Sequence, residues 1–162
     1  HTASGKIELF SQTLADAGHD PIPTFEPVDE PPDGFYRLLY GRHPVHTFAK
    51  TQNTPVLNEL YPEKELWLNA SKAADEGVED RQEVWLENQD GARSGPIKVK
   101  VTERIRGDAV FMPHGFGHKS EGLTRVNGVG ASDTELQTRY VLDPISGGAG
   151  MRVDFVRILQ EV

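Results

Sequence analysis

Apolar and polar residues alternate along this chain, most plainly in Ile97-Lys98-Val99-Lys100-Val101 and again across Val153-Asp154-Phe155-Val156-Arg157-Ile158. A period of two belongs to a strand with one buried face, whereas a helix repeats its apolar positions every three to four residues. Six segments carry strand character: Phe35 to Tyr40, Glu65 to Leu68, Glu83 to Glu87, Ile97 to Thr102, Ala109 to Met112 and Met151 to Ile158. Joined by Gly- and Pro-containing turns, they predict a mainly β fold whose strands close into a barrel. Two short helices are expected: Lys72 to Glu76, capped by Asn69 or Ser71 and ended by Gly77, and Val56 to Leu60, opened by Thr54-Pro55. Asn88-Gln89-Asp90-Gly91 reads as a tight turn between strands.

At 162 residues the chain suits one core. Its carboxylates are unevenly spread: residues 1 to 33 hold seven against one lysine, and residues 59 to 90 hold ten. Pro21, Pro23, Pro27, Pro31 and Pro32, set among acids, favour extended chain. Residues 1–33 therefore read as an entry strap or linker and 34–162 as the barrel domain. The formal charge of -8 excludes a general nucleic-acid binder. There is no cysteine, so the chain can supply no thiolate to a metal or iron-sulfur cluster. No apolar run approaches the roughly twenty residues that span a bilayer. The start, His1-Thr2-Ala3-Ser4-Gly5, lacks an initiator methionine and suggests a processed chain or a fragment.

Against this acidic background, Gly34 to Asn58 contains no Asp or Glu. At its centre Gly41, Arg42, His43, His46, Thr47, Lys50, Thr51 and Asn53 gather guanidinium, ammonium, imidazole, hydroxyl and amide groups, a set suited to phosphate oxygens. The same composition also fits a basic loop that pairs with the protein's own acidic strap. A second loop runs Phe111-Met112-Pro113-His114-Gly115-Phe116-Gly117-His118-Lys119. Histidines four apart share a face only in a helix, which Pro113, Gly115 and Gly117 forbid, so an anion or a ring edge suits this loop better than a metal. The third runs from Asn127 to Tyr140. Gly128-Val129-Gly130 is too short for a dinucleotide fingerprint, and Ser132, Asp133, Gln137 and Arg139 either hydrogen-bond a heterocycle or pin a long loop.

No serine sits in a Gly-x-Ser-x-Gly elbow, and the carboxylates cluster away from the three loops. Catalysis by this segment alone is therefore not expected.

In this order the loops resemble the carboxy-terminal molybdopterin dinucleotide-binding domain of oxidoreductases of the dimethyl sulfoxide reductase superfamily. The resemblance rests on Ala3-Ser4-Gly5-Lys6-Ile7-Glu8-Leu9-Phe10-Ser11, Leu38-Leu39-Tyr40-Gly41-Arg42 through Thr47, Leu66-Trp67-Leu68-Asn69, Val110-Phe111-Met112-Pro113-His114-Gly115 and Leu142-Asp143-Pro144-Ile145-Ser146-Gly147-Gly148. The wording of Arg42-His43-Pro44-Val45-His46-Thr47, of His114 through Lys119 and of Gly130 through Tyr140 is similar to that of polysulfide, thiosulfate and related sulfur-compound reductases.

The resemblance implies a six-stranded double-psi β-barrel and, as cofactor, bis(molybdopterin guanine dinucleotide) carrying molybdenum or tungsten. It places the metal's protein ligand and any iron-sulfur cluster in earlier domains of the same catalytic subunit, which would be this chain's partners. An iron-sulfur subunit and a membrane anchor subunit are implied in the complete enzyme, on the outer, periplasmic face. Carried over by position, Gly41, Arg42, His46, Thr47, Thr51 and Asn53 match the first cofactor loop, and Met112, Pro113, His114 and Phe116 the second. His43, Lys50, His118 and Lys119 stand beside them as further candidates. The third loop departs from the family's Asn-x-Leu-Thr, reading Thr134-Glu135-Leu136-Gln137, which moves the pterin contact to Gln137, Ser132 or Arg139. Arsenate, tetrathionate, nitrate or formate enzymes, and a free-standing barrel for another nucleotide or a protein, are the alternatives.

Overall fold

A computed structural model describes residues 2, 4–22 and 24–160. Ala3 of the entry segment and Pro23 of the strap lie outside the described residues, as do His1, Glu161 and Val162. The elements run α1 (Gln12–Asp16), β1 (Tyr36–Gly41), α2 (Pro55–Leu60), β2 (Glu65–Asn69), α3 (Ala70–Glu76), β3 (Glu83–Asn88), β4 (Arg93–Thr102), β5 (Ala109–Pro113), α4 (Asp133–Leu136), β6 (Val141–Leu142), β7 (Ala149–Gly150) and β8 (Phe155–Leu159). Six strands close a barrel in the order β1-β5-β2-β4-β3-β8. Its mixed strand direction, with β1/β5 and β2/β4 parallel and the other neighbours antiparallel, agrees with the double-psi expectation. Among the described residues no helix is long and apolar enough to cross a membrane.

The inward set is aliphatic. Leu38, Leu66, Leu68, Val84, Leu86, Val99, Val110, Met112 and Val156 are wholly buried and form one cluster. Each such side chain contributes roughly 1.5–3 kcal/mol on burial, so the alternation along the strands translates directly into closure. Along β4 the pattern is kept: Ile97 and Val99 are buried while Lys98 and Lys100 face outward to Glu63 and Glu65.

Several boundaries differ from expectation. The last strand begins at Phe155 and not Met151, because Asp154 is buried and faces the third loop. One of its carboxylate oxygens accepts from Gln89 Nε2 at 2.8 Å and from the Thr138 amide at 3.3 Å. β4 starts four residues early, at Arg93, passing through Gly95 and Pro96 with a register shift opposite Val84 to Leu86. Residues 20–22 and 24–33 are extended or irregular as expected, but α1 precedes them, its N-terminus capped by Ser11. The short β6–β7 hairpin and α4 occupy stretches expected to be loop. Both expected helices are present: Asn69 caps α3 by accepting from the Ser71 amide at 3.0 Å, and Gly77 ends it in a left-handed conformation.

Pairing direction decides where the loops go. β1 and β5 are parallel with Gly41 beside Pro113, so the loops that follow them leave the same end of the barrel. β8 runs antiparallel to β1, which brings Met151 and Arg152, just ahead of it, to that end as well.

Candidate functional site

At that end lies a cavity of about 600 Å³ lined by Tyr40, Gly41, Arg42, Phe48, His114, Thr134, Gln137, Met151 and Arg152. Each of the three loops singled out in the sequence contributes: Arg42 from the first, His114 from the second, Thr134 and Gln137 from the third. A smaller cavity of about 360 Å³, lined by Arg42, His43, Pro44, His46, Thr47 and Phe48, adjoins it through the shared Arg42 and Phe48.

Two glycines allow the loops to meet. Gly115 has φ +98°, and a Cβ there would fall 2.6 Å from Gln52 Nε2 and closer still to the Phe48 carbonyl. Gly117 has φ +79°, and its Cβ would fall 2.5 Å from the Ser132 amide nitrogen. The first loop presses on the second at Gly115, and the third presses on it at Gly117. Both contacts are backbone approaches that only glycine permits.

The first loop is fixed by its own side chains and by contacts to Tyr61 and Arg125. His46 is buried, with Nε2 2.9 Å from the Tyr61 carbonyl and Nδ1 3.3 Å from Thr51 Oγ1. A carbonyl can only accept, so Nε2 carries the proton and Nδ1 accepts from the Thr51 hydroxyl. Thr51 Oγ1 in turn accepts from the Thr47 amide at 2.9 Å. His43 stacks on Tyr61 with ring centroids 3.6 Å apart, and burial lowers its pKa. Asn53 accepts from the Arg125 amide. These four side chains therefore shape the loop, leaving Arg42, Thr47 and Lys50 exposed. Arg42 lies over the Phe48 ring at 4.2 Å. Among the described residues neither Arg42 nor Lys50 forms an ion pair, so the acidic strap does not neutralise this loop.

In the second loop the candidates separate. His114 lines the cavity, while Met112 is wholly buried in the core and Phe116 packs edge-on against His46 and Tyr61. Pro113 contributes its carbonyl to Lys64. His118 bridges to Asn127, and Lys119 is paired with Glu135 at the surface. Among the described residues no three His, Asp or Glu side chains converge on a metal position.

In the third loop Gln137 lines the cavity and Ser132 is buried, its hydroxyl 2.8 Å from Thr134 Oγ1. Arg139 grips Asp90 through Nε at 2.9 Å and a second nitrogen, and this hydrogen bonding pushes the Asp90 carboxyl down to about 2. Arg139 lines a neighbouring cavity of about 410 Å³ beside Gln137 and Tyr140.

The sequence reading named Asp133 among the polar residues of the third loop but did not place it, with Lys64, as a floor under His114. Asp133, 1% exposed, lies 2.6 Å from His114 Nδ1 and accepts from Gln137 Nε2 at 3.2 Å and from the Gly115 amide at 3.4 Å. Lys64, also 1% exposed, donates to the Pro113 carbonyl at 3.1 Å, and its Nζ lies 3.8 Å from Asp133. Burial pushes the Lys64 ammonium down to about 7, against the pull of Asp133. Nothing in Pro62-Glu63-Lys64-Glu65 signals a buried lysine. Tyr40, Thr134, Met151 and Arg152 were missed as cavity residues too, Arg152 because it was assigned to the last strand. A cation between an expected loop and a strand start was the available signal.

Comparison with known proteins shows the family of the chain. The family model of the Molydopterin dinucleotide binding domain matches residues 36–153, which include all three loops and the start of the barrel. The chain is 34% identical over 146 residues to the thiosulfate reductase molybdopterin-containing subunit PhsA of Salmonella typhimurium, covering 89% of this chain and 19% of that protein. It is 30% identical over 129 residues to the dimethyl sulfoxide reductase DmsA of Escherichia coli, covering 70% of this chain and 16% of that protein. The chain thus spans less than a fifth of the length of these curated relatives. Acetylene hydratase from Pelobacter acetylenicus shares the fold, with a TM-score of 0.75 at 20% identity over 99% of this chain and 24% of that one. By its matched residues and by the loops they contain, the chain belongs to the molydopterin dinucleotide binding domain family.

Proposed function

We propose that this chain is the cofactor-holding domain of a molybdenum-dependent oxidoreductase that reduces thiosulfate, polysulfide or a related sulfur compound. The cofactor on this reading is bis(molybdopterin guanine dinucleotide). The observation that carries it is the convergence on one cavity of Arg42, free of any ion pair among the described residues, with hydrogen-bonding groups from two other loops.

The donor set fits such a ligand. Arg42 offers a planar fork to phosphate oxygens, with Thr47 and Lys50 beside it. Tyr40 and Phe48 offer ring faces to a heterocycle, and His114 and Gln137 offer hydrogen bonds to its edge. Gly41 keeps the end of β1 narrow, where a Cβ would come within 3.2 Å of the Phe111 ring. When bound, the cofactor supplies the redox chemistry at its metal, while these residues bind it, orient it and exclude water. With no cysteine here, protein thiolate ligands and any iron-sulfur cluster come from other parts of the catalytic subunit. An iron-sulfur subunit, a membrane anchor subunit and a periplasmic setting complete the proposal.

The likeness to the thiosulfate reductase subunit supports a sulfur-compound substrate. The likeness to the dimethyl sulfoxide reductase favours, as a second reading, a sulfoxide. Assaying the complete subunit against thiosulfate, polysulfide and sulfoxides separates the two. Arg42→Ala in that subunit is expected to lower its molybdenum and pterin content, and unchanged loading would overturn the assignment of the first loop.

A further inference from the structure

We infer that Asp133 and Lys64 are positioning residues that hold His114 as the Nδ1–H tautomer, so that its Nε2 faces the cavity as a hydrogen-bond acceptor for a ring N–H or amino group of the bound heterocycle. The inference rests on the cofactor reading above and assigns the two ends of the site: phosphate at Arg42, heterocycle edge at His114.

The geometry fixes the proton. His114 Nδ1 sits 2.6 Å from Asp133 Oδ2. Every other group about that carboxylate gives a proton or a positive charge: Gln137 Nε2 at 3.2 Å, the Gly115 amide at 3.4 Å and Lys64 Nζ at 3.8 Å. A carboxylate so surrounded only accepts, so the imidazole donates through Nδ1. His114 Nε2 makes no hydrogen bond among the described residues, and the ring lines the cavity with its side chain 26% exposed. Phe48 meets the same ring edge-on with centroids 6.2 Å apart, which limits its rotation. Lys64 has a defined part in this. Its Nζ faces Asp133 Oδ1 at 3.8 Å and closes the buried side of the carboxylate, leaving His114 on the cavity side.

An acceptor at this point discriminates between ligand groups. Phosphate oxygens carry no proton and would leave Nε2 unmatched, whereas the N–H edge of a fused nitrogen heterocycle pairs with it.

The test has two parts. In the chain without cofactor, ¹⁵N shifts of His114, recorded where free imidazole is neutral, are expected to show a pyrrole-type Nδ1 and a pyridine-type Nε2. Asp133→Asn is expected to reverse them, because its amide can donate to Nδ1. A wild-type Nε2–H tautomer would overturn the inference without touching the cofactor reading, and this measurement needs no variant to fold. In the complete subunit, His114→Gln, which keeps an acceptor, is expected to retain the pterin. His114→Lys, which only donates, is expected to lose roughly tenfold in retained pterin. If Lys holds the cofactor as well as Gln does, the group at this end is an anion and the inference fails. If neither these variants nor Arg42→Ala alters loading, the cavity is not the cofactor's and the broader reading fails with it.

Discussion

Lys64 Nζ and Asp133 Oδ1 lie 3.8 Å apart with both side chains buried, joining the segment before β2 to the N-terminus of α4. Because burial pushes the lysine down to about 7, the folded protein holds fewer protons than the unfolded chain between that pH and the ordinary lysine value of 10.5. Stability therefore rises with pH across this window, and the cost of the buried charge is greatest below it. Wild-type chain is expected to gain roughly 2–3 kcal/mol between about pH 7.5 and 9.5, read from urea midpoints. Lys64→Met is expected to flatten that rise. Tyr61, pushed up to about 12 chiefly by burial, works in the opposite sense only above the ordinary tyrosine range.

Asn88 stitches the third loop to the barrel. Its Nδ2 donates to the Leu136 carbonyl at 2.9 Å and to Thr138 Oγ1 at 2.8 Å, and its Oδ1 accepts from the amides of Asp90 and Ala92. Asn88→Ala is expected to cost roughly 2–4 kcal/mol in denaturant unfolding. Asn88→Asp keeps the acceptor but cannot donate, and is expected to expose the Leu136 to Arg139 segment to faster hydrogen exchange.

Gly115→Ala is expected to destabilise the chain by roughly 2–3 kcal/mol, since it combines a positive φ with a backbone collision at Phe48. Gly107 provides the control. Its nearest neighbours to an added Cβ are Lys72 side-chain atoms at 3.7 Å, so Gly107→Ala is expected to stay within about 0.5 kcal/mol in the same thermal unfolding measurement.

Asn69 serves two elements. It caps α3 through the Ser71 amide and donates to the Ile105 carbonyl at 2.8 Å. Asn69→Ala is expected to lose roughly 1–2 kcal/mol, and Asn69→Ser, which restores an accepting side chain at the cap, to recover part of it. Chemical denaturation of the three proteins side by side checks this.

The barrel was legible because its strands carry their own periodicity: Ile97 to Val101 announces which face is buried without reference to any other segment. The two expected helices were legible from their ends, at Asn69 and Gly77 and at Thr54-Pro55. α4 is four residues long and β6 and β7 two each, too short for a period to register. Among the site residues, Gly41, Arg42, His114 and Gln137 fell at the cavity, whereas Met112 turned inward and His46 spent its ring nitrogens on Thr51 and on the Tyr61 carbonyl at the end of α2. Lys64, and the burial of Asp133 beneath His114, were hidden for a different reason. A charge in a sequence is a surface residue until tertiary contacts enclose it, and here the enclosing contacts come from Pro113 and His114, far along the chain.

β8 pairs with both β1 and β3, so the barrel is open until the last strand is in place. The Arg42 loop precedes its opposite wall at Arg152, and the strand that seats that wall, by most of the barrel's sequence. A ligand that needs both walls therefore finds its cavity complete only once β8 has paired with β1 and β3.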